Sequence, residues 1–333
     1  MADKPALKKS DFQSDQAIRW CPGCGDYAIL AQTQKIFPEI TEKKEDTVFI
    51  SGIGCSSRFP YYMNTYGFHT IHGRAPTVAS GLKLANPDLS VWMVTGDGDG
   101  FSIGGNHLIH LLRRNFNINI MLFNNRIYGL TKGQYSPTSE QGKVTYSTPS
   151  GSLDYPFKPT QLALGAQGSF VAKTIDKELK HLQSMIRRAH EHNGTSFIEI
   201  YQNCNIFNDG AFNEYTSADK FENVIEVKHG EPMVFAKGKK GIKLDGFKAV
   251  VVDMEKHSLD DLLVHDETNL DLAHIIANWT THPVLPEPIG VIYSVDKPTY
   301  NSEMVSQVES AVKTKGAGKV QDLLNAGDTW TVK

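Results

Sequence analysis

Long apolar runs are missing from this sequence. No stretch approaches the roughly 20 apolar residues that a bilayer-spanning helix needs, so no membrane partner is expected. A charge excess of one sign is also missing. Lys and Arg number 34 against 37 Asp and Glu, a net of -3, which gives no basic field of the kind that drives nucleic-acid binding. The first fifteen residues, MADKPALKKSDFQSD, have no apolar core of the signal-peptide type, so a cytoplasmic setting is the expectation. Cysteine is scarce: Cys21, Cys24, Cys55 and Cys204 are the four. In a reducing compartment two structural disulfides are a poor use of them, and metal or redox chemistry moves forward. What is present is an ordinary globular composition, 40% hydrophobic and 21% charged over 333 residues, enough to bury one large core or two smaller ones.

From residue 47 to about 201, short apolar runs alternate with amphipathic stretches. TVFIS, VWMVT, INIMLF, SFVAK and SFIEIY read as buried strands. Between the last two, Leu179, Leu182, Ile186 and Ala189 share one helical face; Asp176 is placed to cap this helix and Asn193-Gly194 to end it. This alternation predicts an α/β fold, a doubly wound and mainly parallel sheet whose ligands lie beyond the carboxyl ends of the strands. Two regions break the pattern. Residues 124 to about 158 have no periodicity and read as a binding loop, since connections longer than ~12–15 residues are usually functional or disordered. After about residue 211 come a lysine-rich hairpin, AKGKKGIKLDGFK, a polar segment, MEKHSLDDLLVHDETN, and a short strand, IGVIYSV. The expected division is residues 1–211 as the cofactor-binding domain, 212–290 as a carboxyl-terminal region, and 291–333 as an extended arm that contacts a partner.

Immediately after VWMVT stand Gly96, Asp97, Gly98, Asp99 and Gly100. Glycines at a strand-to-helix turn let backbone N-H groups approach a phosphate. The dinucleotide fingerprint is absent because Phe101 replaces its third glycine, and no GK[ST] follows. Two aspartates repel a bare phosphate, but a divalent cation held between carboxylate and phosphate removes the conflict. INIMLF ends in Asn124-Asn125, which brings an amide oxygen to the same sheet edge. Asp97, Asn125 and a backbone carbonyl just beyond it thus supply three of the six oxygens that Mg2+ prefers.

Cys21 and Cys24 form CPGC, Cys55 follows TVFIS, and Cys204 follows SFIEIY. Four thiolates suit structural zinc or an iron-sulfur cluster. Zinc favours two close pairs, and only one pair is close here. A thioredoxin-type CxxC leaves the other two cysteines unexplained.

Taken together, WCPGCG, SGIGCSSR, HTIHGRAPTVASGLKLANPDL, GDGDGFSIGGNH and NNRIYGLTKGQYSPTS resemble the beta subunit of 2-oxoacid:ferredoxin oxidoreductases, in the family's order through about residue 205. GDGDG with NN, the second Asn 28 residues after Asp97, is similar to the diphosphate motif of thiamine-diphosphate enzymes. The resemblance implies a thiamine-diphosphate-binding fold with a carboxyl-terminal extension. It implies Mg2+ on Asp97, Asn125 and the backbone oxygen of Ile127, and one [4Fe-4S] cluster on Cys21, Cys24, Cys55 and Cys204. It further implies cofactor contacts at Ile53, Gly54, Ser56, Arg74, Gly96, Gly98, Asp99, Leu130 and Thr131.

The implied reaction is CoA-dependent oxidative decarboxylation of a 2-oxoacid to an acyl-CoA and CO2, with electrons passed through the cluster to ferredoxin, or its reverse. Details of NNRIYGLTKGQYSPTS and LLVHDE resemble 2-oxoglutarate enzymes more than pyruvate or branched-chain 2-oxoacid ones. The glutamate that activates thiamine normally lies on a second, pyrimidine-binding domain. None is found in this sequence, so an alpha subunit is expected to supply it, in an alpha2beta2 heterotetramer. His72 is a candidate for proton handling and Lys132 for meeting a substrate carboxylate; each also has a plain structural reading. Arg74 binds either an anion or a carbonyl. His265-Asp266-Glu267 reads as a solvated helix face, His69 with His72 as local structure, and Lys237 to Lys243 as solvent-facing. The contrasting reading is a zinc-stabilised, non-catalytic binding protein.

Overall fold

The computed structural model describes residues 6–332; Met1 to Pro5 of the polar amino-terminal segment and Lys333 at the end of the arm lie outside them. Eight strands form one sheet. β1 (Thr47–Ser51), β2 (Tyr66–His69), β3 (Ser90–Gly96), β4 (Ile118–Asn124), β5 (Phe170–Ile175), β6 (Thr195–Tyr201) and β7 (Val224–Val227) precede a three-stranded sheet of β8 (Val234–Phe235), β9 (Lys240–Asp245) and β10 (Lys248–Asp253). β11 (Glu287–Ser294) then returns to the main sheet, whose order is β2-β1-β3-β4-β6-β5-β11-β7. The first six strands in this order pair parallel, while β11 lies antiparallel to β5.

The strand residues divide by alternation, as they must when both faces of a sheet are covered. Val48, Ile50, Val91, Met93, Ile118, Ile120 and Leu122 join one core with the helices Ala75–Ala85, Gly105–Arg114 and Leu270–Ala277. Phe49, Trp92, Val94, Met121, Phe123, Ile198 and Ile200 join the other with the helices Asp26–Ile40 and Leu179–Glu191. Because β1, β3, β4 and β6 are successive neighbours running one way, the residues that follow Ser51, Gly96, Asn124 and Tyr201 emerge along one edge. The doubly wound sheet is therefore as expected, and this edge is where such folds carry ligands.

Several local expectations are corrected. Asp176 does not cap the following helix, which starts at Leu179 with Glu178 in the cap position; the Asp176 carboxylate accepts instead from the Asn203 amide at 2.9 Å. His265 is not on a solvated helix face. It is buried with Nε2 2.8 Å from the Val291 carbonyl oxygen, Glu267 pairs with Arg188, and the helix begins only at Leu270. From residue 291 the chain completes β11 through Ser294 and then forms a helix from Tyr300 to Lys315.

Candidate active site at the carboxyl edge of the sheet

Ten of the expected cofactor-contact residues line one cavity of about 100 Å³: Ile53, Gly54, Ser56, Gly96, Asp97, Gly98, Asp99, Asn125, Leu130 and Thr131. Cys55, His72 and Ile127 line it too. Two glycines shape it. At Gly98 a Cβ would stand 2.2 Å from the Tyr128 ring, so any side chain there displaces that ring, whose hydroxyl donates to the Gly98 carbonyl at 3.0 Å. Gly54, at φ 146, has nothing within 4 Å of where a Cβ would be, which leaves open space on the cavity wall.

The two aspartates of the turn have separate roles. Asp97 is buried, and its Oδ2 accepts from Ser136 Oγ at 2.5 Å and Thr138 Oγ1 at 2.6 Å. Burial nevertheless raises the pKa of this carboxyl, because two hydroxyl donors do not replace lost hydration. A cation would supply the missing stabilisation. Asp99 is a brace: its Oδ1 accepts from the backbone N-H of Ile53 at 3.0 Å and of Gly73 at 2.7 Å, and its Oδ2 from Thr95 Oγ1 at 2.6 Å. It thereby ties the loops after β1 and β2 to the turn after β3.

Asn124 and Asn125 divide in the same way. Asn124 is buried, donating to Glu199 at 2.8 Å, with its Oδ1 2.9 Å from the Thr138 hydroxyl oxygen. Glu199 continues to Lys173, whose Nζ lies 3.4 Å from Glu199 and 2.7 Å from Glu287, all three without exposure. Burial disfavours ionising Glu287, but Lys173 outweighs it and holds that carboxyl below the ordinary range. Asn125 turns Nδ2 to Gln202 Oε1 at 2.9 Å, while its Oδ1 accepts from the Ile127 N-H at 3.2 Å. Asp97, Asn125 and Ile127 thus line one cavity, and between them carry oxygen donors of the hard kind that Mg2+ takes.

The four cysteines are free thiols, and each is near enough to at least one other to act on it electrostatically. A Cβ on Gly129 would be 3.4 Å from Cys55 Sγ and 3.6 Å from Cys204 Sγ, so both sulfurs meet the loop that lines the cavity. Cys24 is held there by the CPGC turn: the Cys24 N-H donates to Cys21 O at 3.1 Å, and Asn205 Nδ2 donates to Pro22 O at 2.6 Å. Burial first, and then the nearby Asp26 charge, push the Cys55 thiol up to about 12 and Cys24 up as well, with the other cysteines adding repulsion. Two thiols so raised become thiolates only against positive charge, which fits a metal cluster held by the cysteines. Among the described residues no three His, Cys, Asp or Glu side chains converge tightly enough to hold a single ion.

The remaining expected residues lie apart from this geometry or at its rim. His72 is at the rim, Nε2 3.6 Å from Asp99 Oδ1. Arg74 donates to the Ile103 carbonyl oxygen at 3.0 Å, its carbonyl-binding reading. Lys132 is exposed, in left-handed backbone at φ 75. Sequence reasoning passed over Ser136, Thr138, Tyr128 and Gln202. The first three lie in the aperiodic loop, where no pattern separates one hydroxyl from another. Gln202 had a signal: one residue past β6, it sits beside Asn125 by strand register.

Residues 52–200 match the family described as Thiamine pyrophosphate enzyme, C-terminal TPP binding domain. The 2-oxoglutarate oxidoreductase subunit KorB of Mycobacterium tuberculosis is 52% identical over 99% of this chain and 90% of its own length. This chain belongs to the beta subunits of the 2-oxoacid:ferredoxin oxidoreductases. The beta subunit of 2-oxoacid:ferredoxin oxidoreductase 1 from Aeropyrum pernix is 44% identical over 60% of this chain and 63% of its own. A 2-oxoglutarate:ferredoxin oxidoreductase from Magnetococcus marinus, solved with 2-oxoglutarate, coenzyme A and succinyl-CoA bound, superposes with a TM-score of 0.77 at 32% identity, covering 98% of this chain and 97% of that one. As a beta subunit of this family, the chain is part of a thiamine-diphosphate-dependent enzyme, and the 52–200 match includes β3, β4 and every residue that lines the cavity.

Proposed function

We propose that this chain, with an alpha subunit in an alpha2beta2 assembly, converts 2-oxoglutarate and CoA to succinyl-CoA and CO2, or runs the reverse carboxylation, exchanging electrons with ferredoxin. One observation carries the reading: an oxygen set suited to Mg2+ and four cysteine sulfurs share a single sheet edge, joined by the loop Ile127–Thr131. When bound, thiamine diphosphate supplies the electron sink for decarboxylation. The chain's residues supply the rest. Asp97, Asn125 and the Ile127 carbonyl hold Mg2+ and through it the diphosphate. Cys21, Cys24, Cys55 and Cys204 hold a [4Fe-4S] cluster, which moves electrons singly. His72, at the rim beside Asp99, is the candidate for proton handling, and exposed Lys132 the candidate for a substrate carboxylate.

The need for a partner has structural support. The cavity, about 100 Å³, is well below the ~300–1,000 Å³ that encloses a whole ligand of cofactor size. It suits the diphosphate end, and the rest of the cofactor requires walls from another chain. The carboxyl-terminal arm supports this too: Val305, Val308 and Val312 leave an exposed apolar stripe on one face of the helix Tyr300–Lys315. The substrate rests on the relatives, since the M. tuberculosis protein is named for 2-oxoglutarate and the M. marinus structure contains it.

The test is anaerobic reconstitution of the alpha-beta complex, metal and thiamine analysis, and turnover with 2-oxoglutarate, pyruvate and a branched 2-oxoacid. Iron, Mg2+-dependent thiamine diphosphate and a preference for 2-oxoglutarate are expected. Faster turnover of pyruvate would overturn the substrate, and zinc in place of iron and thiamine would favour a non-catalytic binding protein.

A further inference from the structure

Gln202 touches both halves of the site. It follows β6, and its backbone N-H donates to the Asn124 carbonyl at 2.9 Å, one step beyond the β4–β6 ladder. Its side chain is buried, in a residue 1% exposed. Nε2 lies 2.7 Å from the Asn203 carbonyl oxygen, which only accepts, so the nitrogen must be on that side of the amide. Oε1 then faces Asn125 and accepts from its Nδ2 at 2.9 Å. With Nδ2 so engaged, Asn125 presents Oδ1 on the side of Ile127 and the cavity. Without an acceptor at Gln202, only the longer hydrogen bond from the Ile127 N-H, at 3.2 Å, would keep the Asn125 amide from turning its NH2 group towards the cation. The second proton of Nε2 points to Cys24 Sγ at 3.2 Å. An N-H donor on a ligating sulfur stabilises the more negative, reduced state of a cluster and so raises its potential.

We infer that Gln202 is a positioning residue serving both cofactor sites at once: its carbonyl oxygen aims the Asn125 oxygen at Mg2+, and its N-H tunes the cluster through Cys24. The inference rests on the Mg2+ and cluster assignments proposed above. Its chemistry is that of an outer partner, which orients a ligand and sets its basicity without touching the metal.

Two substitutions separate the two roles in the anaerobic alpha-beta holoenzyme. Gln202→Met keeps the approximate shape without donor or acceptor; Gln202→Glu keeps an acceptor for Asn125 and removes the donor. The cluster's midpoint potential is read by redox titration followed by electron paramagnetic resonance, and the Mg2+ concentration for half-maximal thiamine diphosphate binding by calorimetry. Both variants are expected to have a more negative potential. Gln202→Met should also need ~10- to 100-fold more Mg2+, whereas Gln202→Glu should stay within a few-fold of wild type. An iron-loaded Gln202→Met enzyme with either quantity at the wild-type value overturns the double role. If Gln202→Met fails to take up iron, Gln202→Glu decides, and an unchanged potential refutes the inference. A wild-type holoenzyme without iron, or one that binds thiamine diphosphate without Mg2+, would instead refute the cofactor assignment beneath it.

Discussion

On the diphosphate side of the site, Asp97 is buried, takes two hydroxyl hydrogen bonds, and sits on a turn braced by Asp99 to two other loops. On the cysteine side, Cys21 is exposed, the ligands come from three separate segments, and the Cys24 and Cys55 thiols are pushed up rather than poised as thiolates. In the first half hydrogen bonds fix the side chains in place, although burial raises the Asp97 carboxyl as well and leaves a cation to complete it. In the second, the Cys24 and Cys55 thiols lack the positive charge that the proposed cluster would supply. On the proposed reading, one sheet edge carries a site fixed by hydrogen bonds between loops beside one that metal would complete, with Gln202 between them.

The largest test of that contrast is a reciprocal pair. Asp97→Asn is expected to weaken Mg2+-dependent thiamine diphosphate binding by more than about 100-fold, beyond what loss of an outer partner costs, while iron content stays at wild type. Cys204→Ser is expected to abolish turnover and visible colour while thiamine diphosphate still binds. Loss of both cofactors in both variants, by iron assay and calorimetry, would show one cooperative site instead of two.

Next in size is Lys173→Met, which leaves Glu199 and Glu287 buried without their cation. A loss of about 3–5 kcal/mol in stability is expected by thermal or denaturant unfolding. Because Glu287 is held below the ordinary carboxylate range, its contribution is complete above the usual glutamate value of ~4.3 and is lost as the pH falls through the depressed one. The variant's unfolding should therefore lose part of this acid dependence.

A smaller effect is expected of Thr138→Val, which removes one of two hydroxyl donors to Asp97. About 10-fold weaker Mg2+-dependent binding should follow, with iron unaffected; an equal loss of iron would contradict the separation of the halves. The smallest concerns the exposed arm. Val308→Asp on the valine stripe should leave the beta subunit's own melting unchanged and weaken alpha-subunit association by about 1–2 kcal/mol, measured by analytical ultracentrifugation.

Most of the site was legible where local pattern and backbone topology coincide. GDGDG after VWMVT and NN after INIMLF mark strand ends, and a parallel sheet brings neighbouring strand ends together whatever the side chains do. The four cysteines were equally visible. Less legible were residues whose partners are distant and not periodic. Asp176 has the residue type of a helix cap, yet its carboxylate is taken by Asn203, 27 positions away. His265 has polar neighbours in sequence but lies against β11, so burial by a strand that arrives later overrides its local polarity.

The amino-acid sequence by itself determined the strand and helix alternation, the glycines that open the turn after β3, and the inventory of candidate oxygen and sulfur ligands, because these depend on residue type and short spacing. Only the tertiary structure decided that Ser136 and Thr138 meet Asp97, that Asp99 braces backbone while Asp97 faces the cavity, and that one Gln202 amide reaches both Asn125 and Cys24. Those are hydrogen bonds between segments 26 to 178 residues apart, or 39 to 77 for most of them. Their geometry is set by how strands align and loops fold back, and no periodicity along the chain encodes it.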